Sequence, residues 1–215
     1  MGCRLRQRKQ EAGENIMIIS CVILNYNDSE TTISLLKSIR TIDLINYIIV
    51  VDNYSTDDSF IELKKYESSK IIVIQTSKNG GYGFGNNFGI QHSFKQLHAD
   101  YTIIANPDVV FNEGCINRMV QVFQETERAA VVSAIPLTSK GNRQSVIAWR
   151  IPTFLQYTLT SSILFDKFFN KLRYSDDYFN EKIVCEVDCV PGSLLMVDTN
   201  LMVKYGMYDE EIFLY

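Results

Sequence analysis

Acidic and amide side chains follow the apolar runs of this sequence. Asp52 ends the run YIIVVD, Asp108 follows YTIIA and a proline, and Asn25 and Asn79 follow two further runs. A carboxylate such as Asp52 can accept hydrogen bonds from a nucleoside, and one such as Asp108 can bind a hard divalent cation that holds phosphate oxygens. A single Asp after a strand is more often a helix cap. What indicates a binding site is that all four residues follow an apolar run.

The elements that position these residues form a repeated strand and helix pattern. Strands are predicted at 16–24, 47–52, 70–75, 101–108 and 129–135, with a helix after each of the first four. Two more strands are predicted on either side of Pro191 and Gly192, at 183–190 and 193–198. Alternating elements of this kind are typical of an α/β domain with a mostly parallel sheet, whose ligands bind beyond the carboxyl ends of the strands. We therefore expect one edge of the sheet to carry the site.

Glycines are concentrated in one segment, SKNGGYGFGNNFGI, which follows the third predicted strand. Glycine is favoured where the backbone approaches a ligand or adopts a positive φ, so the segment is predicted as a loop that contacts phosphate and runs into a helix. Its spacing does not fit the dinucleotide-binding fingerprint, and the chain has no Walker sequence. A flexible turn that caps the helix remains the alternative interpretation.

The composition indicates a globular protein. The chain has 215 residues, 46% hydrophobic and 21% charged, which is enough to bury a core without disulfides. A net charge of −4 gives no electrostatic reason to bind nucleic acid, and none is expected as a partner. Five cysteines do not form the paired framework of a small secreted domain, so a reducing cytoplasm is predicted.

Two segments bear on membrane contact. Residues 1–15 are basic and then polar, without the apolar stretch of a secretory signal, and are predicted as a flexible arm. The apolar stretch 154–169 is too interrupted to cross a bilayer, and its apolar face either packs on the core or rests on a membrane. A position at the inner face of the plasma membrane, with peripheral contact, therefore stays open.

Six sequence motifs occur in order along the remaining residues 16–215: CVILNYNDSETT, IIVVDNYSTDDS, the segment 79–89, IIANPDVVF, VPGSLLMVD and GMYDEEIFLY. Together they resemble the family 2 glycosyltransferases, in particular the branch that includes the rhamnosyltransferases. The resemblance implies a single GT-A domain over 16–215, a Rossmann-like three-layer sandwich with a mostly parallel sheet. In this fold a nucleoside-diphosphate sugar binds over the strand ends.

The resemblance also implies roles for individual residues on the donor side. Asn25 and Asp52 would hold the base and the ribose of the nucleotide-sugar donor. Asn79, Gly80 and Asn86 would line the donor pocket, and Asn106 would also bind the donor.

A metal site is implied by the triplet Asn106-Pro107-Asp108, which takes the place of the Asp-x-Asp motif of the family. Asn106 stands where the first acid is usual, so the resemblance implies that Asp108 would be the metal-binding carboxylate. Mg²⁺ or Mn²⁺ held there would neutralise the charge that grows on the departing diphosphate.

The acceptor side is implied by the last two motifs. In the family, the run that matches GMYDEEIFLY is followed within a residue or two by a Glu-Asp pair that supplies the catalytic base, and this chain ends at Tyr215. The C-terminal part of the family domain is therefore expected to be missing. Asp209 is then the candidate substitute base, and Asp188 and Glu210 are expected to face the acceptor. A solvated acidic turn is the other interpretation of residues 209–211.

The function implied is an inverting, metal-assisted transfer of a glycosyl group. The donor would be dTDP-rhamnose or a UDP-sugar, and the acceptor a glycan or lipid-linked glycan in bacterial polysaccharide synthesis. Two alternatives are a non-catalytic nucleotide-sugar-binding protein and a sugar nucleotidyltransferase. The second would need a Gly-rich basic loop after the first strand, which Asn25-Tyr26-Asn27-Asp28 does not provide. An oxidoreductase is a more distant alternative.

Overall fold

The computed structural model describes residues 17–127, 129–138, 140–144, 148–154, 172–180 and 182–213. Six strands in these residues form one sheet, in the order β3-β2-β1-β4-β6-β5. The strands are β1 (Ile19–Asn25), β2 (Tyr47–Asp52), β3 (Ile71–Gln75), β4 (Tyr101–Ala105), β5 (Val131–Ser133) and β6 (Leu194–Asp198). The helices are α1 (Ser29–Ile39), α2 (Ser59–Lys64), α3 (Gly81–Lys95), α4 (Glu113–Glu125), α5 (Asp176–Asn180) and α6 (Thr199–Tyr205).

The sheet is mostly parallel, as predicted. Strands β1 to β4 run parallel, and β6 runs antiparallel to both β4 and β5. In the register of the parallel strands, Asn25 lies opposite Asp52 and Asp52 lies opposite Gln75. Because β1 to β4 run parallel, their four carboxyl ends lie at one edge of the sheet, and a helix follows each of them.

Apolar side chains cover both faces of the sheet. Because alternate strand residues point to opposite faces, Ile103 of β4 packs in the cluster that holds α1, α2 and α4, whereas Ile104 packs with Ile90 of α3 and with α6. Alternate residues of β6 also point to opposite faces, so Met196 packs in the first cluster and Leu195 in the second. The result is the three-layer sandwich expected from the sequence.

The glycine-rich segment differs from the prediction, because most of it is helix and not loop. Helix α3 begins at Gly81 and includes Gly83, Gly85 and Gly89. A Cβ on Gly89 would lie 2.5 Å from Val22 Cγ1, and one on Gly85 would overlap the Leu24 side chain. These two glycines therefore allow α3 to lie directly against β1. Close packing of the helix on the strand, and not a flexible turn, explains why glycine occurs at both positions.

Two strand predictions are corrected. Strand β4 ends at Ala105, and Asn106-Pro107-Asp108 forms a turn in which Val109 N donates to Asn106 O at 3.3 Å. Proline has no backbone N–H to continue the ladder, which explains the early end. The predicted strand at 183–190 is not a strand in the described residues; Cys189 forms an isolated bridge with Trp149, which also bridges Arg173.

The segments considered for membrane contact fall largely outside the described residues. The arm 1–15 is wholly outside them, and so is most of the apolar stretch 154–169. In the part of the chain that is described, no helix has the length and apolar character needed to cross a membrane.

The close packing of α3 makes a stability prediction. We expect Gly89→Ala to lower the free energy of unfolding by about 2 kcal/mol, because the new methyl group must displace Val22 or the helix itself. Urea denaturation followed by circular dichroism measures the change.

Gly114→Ala is the matched control, since Gly114 lies in the first turn of α4, is exposed, and a Cβ there would meet only Asn112 Oδ1 at 3.3 Å. This control should be neutral or stabilising by up to about 1 kcal/mol. Equal effects of the two substitutions would contradict the packing explanation.

Candidate functional site

The carboxyl ends of the parallel strands bring together several residues predicted from the sequence. Asn25 ends β1, Asp52 ends β2, and the two are paired in register. Asp108 follows β4, which lies on the other side of β1 from β2. Since neighbouring strands are spaced by about 4.8 Å, β2 and β4 lie about 10 Å apart, a span suited to a ligand that crosses β1.

Asp52 is fully buried, and its carboxylate is completely hydrogen-bonded. Oδ1 accepts from Asn25 Nδ2 at 2.9 Å and from Ser55 Oγ at 2.5 Å. Oδ2 accepts from Ser55 N at 3.0 Å and from Gln75 Nε2 at 2.9 Å. The Asn25 amide is itself oriented, because its Oδ1 accepts from Thr32 Oγ1 at 2.8 Å. One buried carboxylate thus fixes the ends of β1, β2 and β3.

The loops that follow β1 and β2 are also joined to each other. Asn27 N donates to Ser55 Oγ at 2.9 Å, and Thr56 N donates to Asn27 Oδ1 at 2.8 Å. Two residues of these loops, Asn27 and Tyr54, have positive φ angles of 52° and 63°. The loops form one cross-linked surface beside Asp52.

The residues predicted to line the donor pocket lie in two different environments. Asn79 Oδ1 accepts from Gly81 N at 3.1 Å and from Asn53 Nδ2 at 3.0 Å, so Asn79 and Gly80 are held at the start of α3 beside the residue that follows Asp52. Asn86 is buried within α3, and its Nδ2 donates to Tyr82 O at 3.0 Å. Its amide therefore supports the first turns of α3.

Tyr82 links three parts of the site, and the sequence did not indicate this role. Its hydroxyl lies 3.1 Å from Asn106 Oδ1 and 3.0 Å from Gly192 O, two acceptors that share one proton. Burial raises the pKa of Tyr82, so the hydroxyl keeps that proton. The only signal in the sequence is an aromatic residue among glycines.

Asp108 is an exposed carboxylate at this edge. It follows the Asn106 turn, whose backbone N donates to Ser193 O at 2.9 Å, and it accepts no hydrogen bond from the described residues. No group of three or more acidic, His or Cys side chains suited to a metal occurs in the described ranges. Mg²⁺ commonly binds through one or two carboxylates together with substrate phosphates, so a single free carboxylate fits a metal that arrives with a diphosphate.

The segment after α6 packs on α3. Asn87 Nδ2 donates to Tyr208 O at 2.9 Å and to Glu210 Oε1 at 2.8 Å, and Tyr208 N donates to Asn87 Oδ1 at 2.9 Å. The Tyr208 ring meets the Tyr82 ring edge to face, with centroids 5.6 Å apart. Asp209 is exposed, and its Oδ1 accepts from Glu211 N at 2.9 Å. Asp209 and Glu210 therefore lie beside α3, the helix that carries Tyr82.

Asp188 has a different environment from the other predicted site residues. It is exposed, and its Oδ2 accepts from Ile151 N at 3.1 Å, next to the bridge between Trp149 and Cys189. No hydrogen bond joins Asp188 to the strand-end residues within the described ranges. Asp188 is connected to the site along the backbone, because Gly192, four residues later in the sequence, accepts a hydrogen bond from the Tyr82 hydroxyl.

The chain is similar to several characterised proteins. It is 28% identical over 199 residues to the low-salt glycan biosynthesis hexosyltransferase Agl10 of Haloferax volcanii, an alignment that covers 92% of this chain and 58% of that protein. Among solved structures, S. aureus TarS 1–349 superposes with a TM-score of 0.58 at 19% identity, over 92% of this chain and 52% of that one.

A third protein shares the fold. The mannosyltransferase PcManGT of Pyrobaculum calidifontis, solved with GDP-Man and Mn²⁺, superposes with a TM-score of 0.56 at 12% identity, over 97% of this chain and 54% of that one. The chain thus spans little more than half the length of these relatives. Residues 20–197 match the family described as Glycosyl transferase family 2, and the chain belongs to that family.

Proposed function

We propose that this domain binds a nucleoside-diphosphate sugar over the carboxyl ends of its strands and transfers the glycosyl group to an acceptor hydroxyl. The relatives support this, since Agl10 is a hexosyltransferase and TarS has been solved with UDP and with UDP-GlcNAc. The donor that we propose is dTDP-rhamnose or a UDP-sugar. The proposed acceptor is a glycan or lipid-linked glycan in bacterial polysaccharide synthesis.

One observation carries the proposal: buried Asp52 and exposed Asp108 lie at the same sheet edge, on strands separated by β1. Asp52 fixes the loops after β1 and β2, against which the base and the ribose would bind, and buried Asn25 would hold these loops in position. Asp108 stands where the diphosphate would lie. The start of α3, with Asn79 and Gly80, would border the donor sugar.

Asp108 would hold the metal, with Asn106 oriented beside it by Tyr82. When bound, Mg²⁺ or Mn²⁺ would stabilise the negative charge that develops on the leaving diphosphate. PcManGT, which shares the fold, has been solved with Mn²⁺. In this chain the hydroxyl of Tyr82 keeps the Asn106 turn attached to Gly192, and so holds Asp108 in place relative to α3.

Asp209 is the proposed base. Inverting transfer requires a group that removes the proton of the acceptor hydroxyl as its oxygen attacks the anomeric carbon. Asp209 is an exposed carboxylate on the segment that Asn87 binds to α3, and the bond from Glu211 N leaves its Oδ2 open to an acceptor. Glu210 and Asp188 would border the acceptor on this side.

Metal-dependent nucleotide binding tests the donor site. We expect UDP or dTDP to raise the Tm of the protein, and Mn²⁺ to increase the shift, because a ligand that binds only the native state stabilises it by mass action. Asp108→Asn should remove most of the Mn²⁺-dependent part of the shift, as measured by differential scanning fluorimetry.

Asp43→Asn is the matched control for that experiment. Asp43 is exposed and precedes β2, at the opposite edge of the sheet, so its substitution should leave the Mn²⁺-dependent shift unchanged. A shift produced by NAD(H) and not by UDP or dTDP would instead favour an oxidoreductase.

A transfer assay tests the base. We expect Asp209→Asn to lower kcat by at least about 100-fold, a typical contribution of general base catalysis, while the Kd for the nucleotide stays unchanged. Glu211→Gln, two residues away on the same turn, should retain the activity. A wild-type chain that binds nucleotide and transfers no sugar would favour a non-catalytic binding protein, and Asp209→Asn at full activity would show that another group is the base.

A further inference from the structure

Tyr208 is held from several sides, although the proposed reaction gives it no role. Asn87 binds its backbone twice, since Tyr208 N donates to Asn87 Oδ1 at 2.9 Å and Tyr208 O accepts from Asn87 Nδ2 at 2.9 Å. Its side chain packs on the apolar cluster that contains Ile90 and Leu195. Asp209, the proposed base, is the next residue in the sequence. The position of Asp209 therefore depends on where Tyr208 is held.

The segment after α6 lies directly on the first turns of α3. A Cβ on Gly83 would lie 3.0 Å from Tyr208 Cβ and 3.0 Å from Asp209 O. One on Gly81 would lie 3.0 Å from Phe213 Cδ2. Because these two glycines lack side chains, the segment contacts the helix without a gap.

Tyr82 connects Tyr208 to the turn that carries Asp108. The rings of Tyr82 and Tyr208 meet edge to face, with an interplanar angle of 86° and centroids 5.6 Å apart, which is a favourable aromatic arrangement. The Tyr82 hydroxyl lies 3.1 Å from Asn106 Oδ1, two residues before Asp108. A continuous series of contacts thus runs from the Asp108 turn through both tyrosines to Asp209.

We propose that Tyr208 is a positioning residue, which together with Tyr82 fixes Asp209 relative to Asp108. This assignment rests on the proposed function, because it requires a nucleotide at Asp108 and a base at Asp209. A displacement of about 1 Å in a catalytic site can lower the rate about 100-fold, so a fixed distance between the two carboxylates favours transfer. A nucleotide bound at the Asp108 turn should then also reduce local opening of the segment after α6.

Three variants separate this role from simple packing. Tyr82→Phe removes the hydroxyl and keeps the ring beside Tyr208. The Asn106 turn stays attached through Asn106 N and Ser193 O, so this variant should still bind nucleotide. Tyr208→Leu removes the aromatic ring and keeps an apolar side chain. Tyr66→Phe is the matched control, since it removes the hydroxyl of a half-buried tyrosine that follows α2 and precedes β3, at the opposite edge of the sheet.

The first experiment is hydrogen exchange of the full chain, with and without UDP and Mn²⁺. We expect the ligand to slow exchange in the segment 207–213 by at least about fivefold in the wild type and in Tyr66→Phe. Tyr82→Phe and Tyr208→Leu should bind UDP as the wild type does and lose this slowing. The measurement requires nucleotide binding and no turnover.

The second experiment is a transfer assay. Tyr82→Phe and Tyr208→Leu should each lower kcat about tenfold and leave the KM for the donor unchanged, because the donor site itself is intact. The double variant should lose no more activity than either single variant, since both substitutions break the same connection. Tyr66→Phe should have wild-type activity.

Three outcomes would overturn the assignment and leave the proposed function standing. The first is a wild-type chain that binds UDP without slower exchange in the segment 207–213. The second is ligand-dependent slowing that persists in Tyr82→Phe and Tyr208→Leu. The third is faster exchange by the same factor with and without ligand, which would show that the tyrosines only support the fold. A wild-type chain that binds neither UDP nor dTDP would overturn the proposed function, and the role of Tyr208 with it.

Discussion

The site depends on one buried carboxylate. Asp52 accepts four hydrogen bonds, from side chains at the ends of β1 and β3 and from both donors of Ser55. A carboxyl group in the core is tolerated only when its oxygens are hydrogen-bonded in this way, so the surrounding loops cannot rearrange independently. The surface above the strand ends is consequently formed before a ligand binds, which reduces the cost of binding.

A second constraint is the approach of α3 to the sheet. Gly85 and Gly89 remove the side chains that would separate this helix from β1, and the helix start is thereby brought to the same edge as Asp52. From there Tyr82 reaches Asn106 and Gly192, and Asn87 holds the segment that carries Asp209 and Glu210. Packing in the core thus sets the geometry between the strand-end loops and the segment after α6.

The sequence predicted the features that local patterns determine. The apolar runs located all six strands of the sheet. The polar residues that end β1 and β2, Asn25 and Asp52, meet at one edge because these strands run parallel. The glycines of α3 could not be recognised as helical, since glycine disfavours a helix by about 1 kcal/mol and only contact with β1 reverses that preference. The run at 183–190 has strand-forming residues, yet among the described residues only Cys189 of this run forms a bridge, with Trp149.

Side-chain partners distant in sequence were also beyond prediction. Ser55 and Gln75 complete the hydrogen bonds of Asp52, and Tyr82 reaches a residue 110 positions away. Ser55 and Tyr82 lie within two of the six motifs, but neither motif indicates these hydrogen-bond partners. The positive φ of Tyr54 could not be predicted either, because tyrosine rarely adopts this conformation.

The most direct test of this account is a crystal structure of the chain with UDP or dTDP and Mn²⁺. We expect the base beside the loops after β1 and β2, and the diphosphate and the metal at Asp108. Nucleotide bound elsewhere, for example in the cavity lined by Trp149, Arg150, Pro152, Leu172, Arg173 and Cys189, with the strand ends empty, would contradict it.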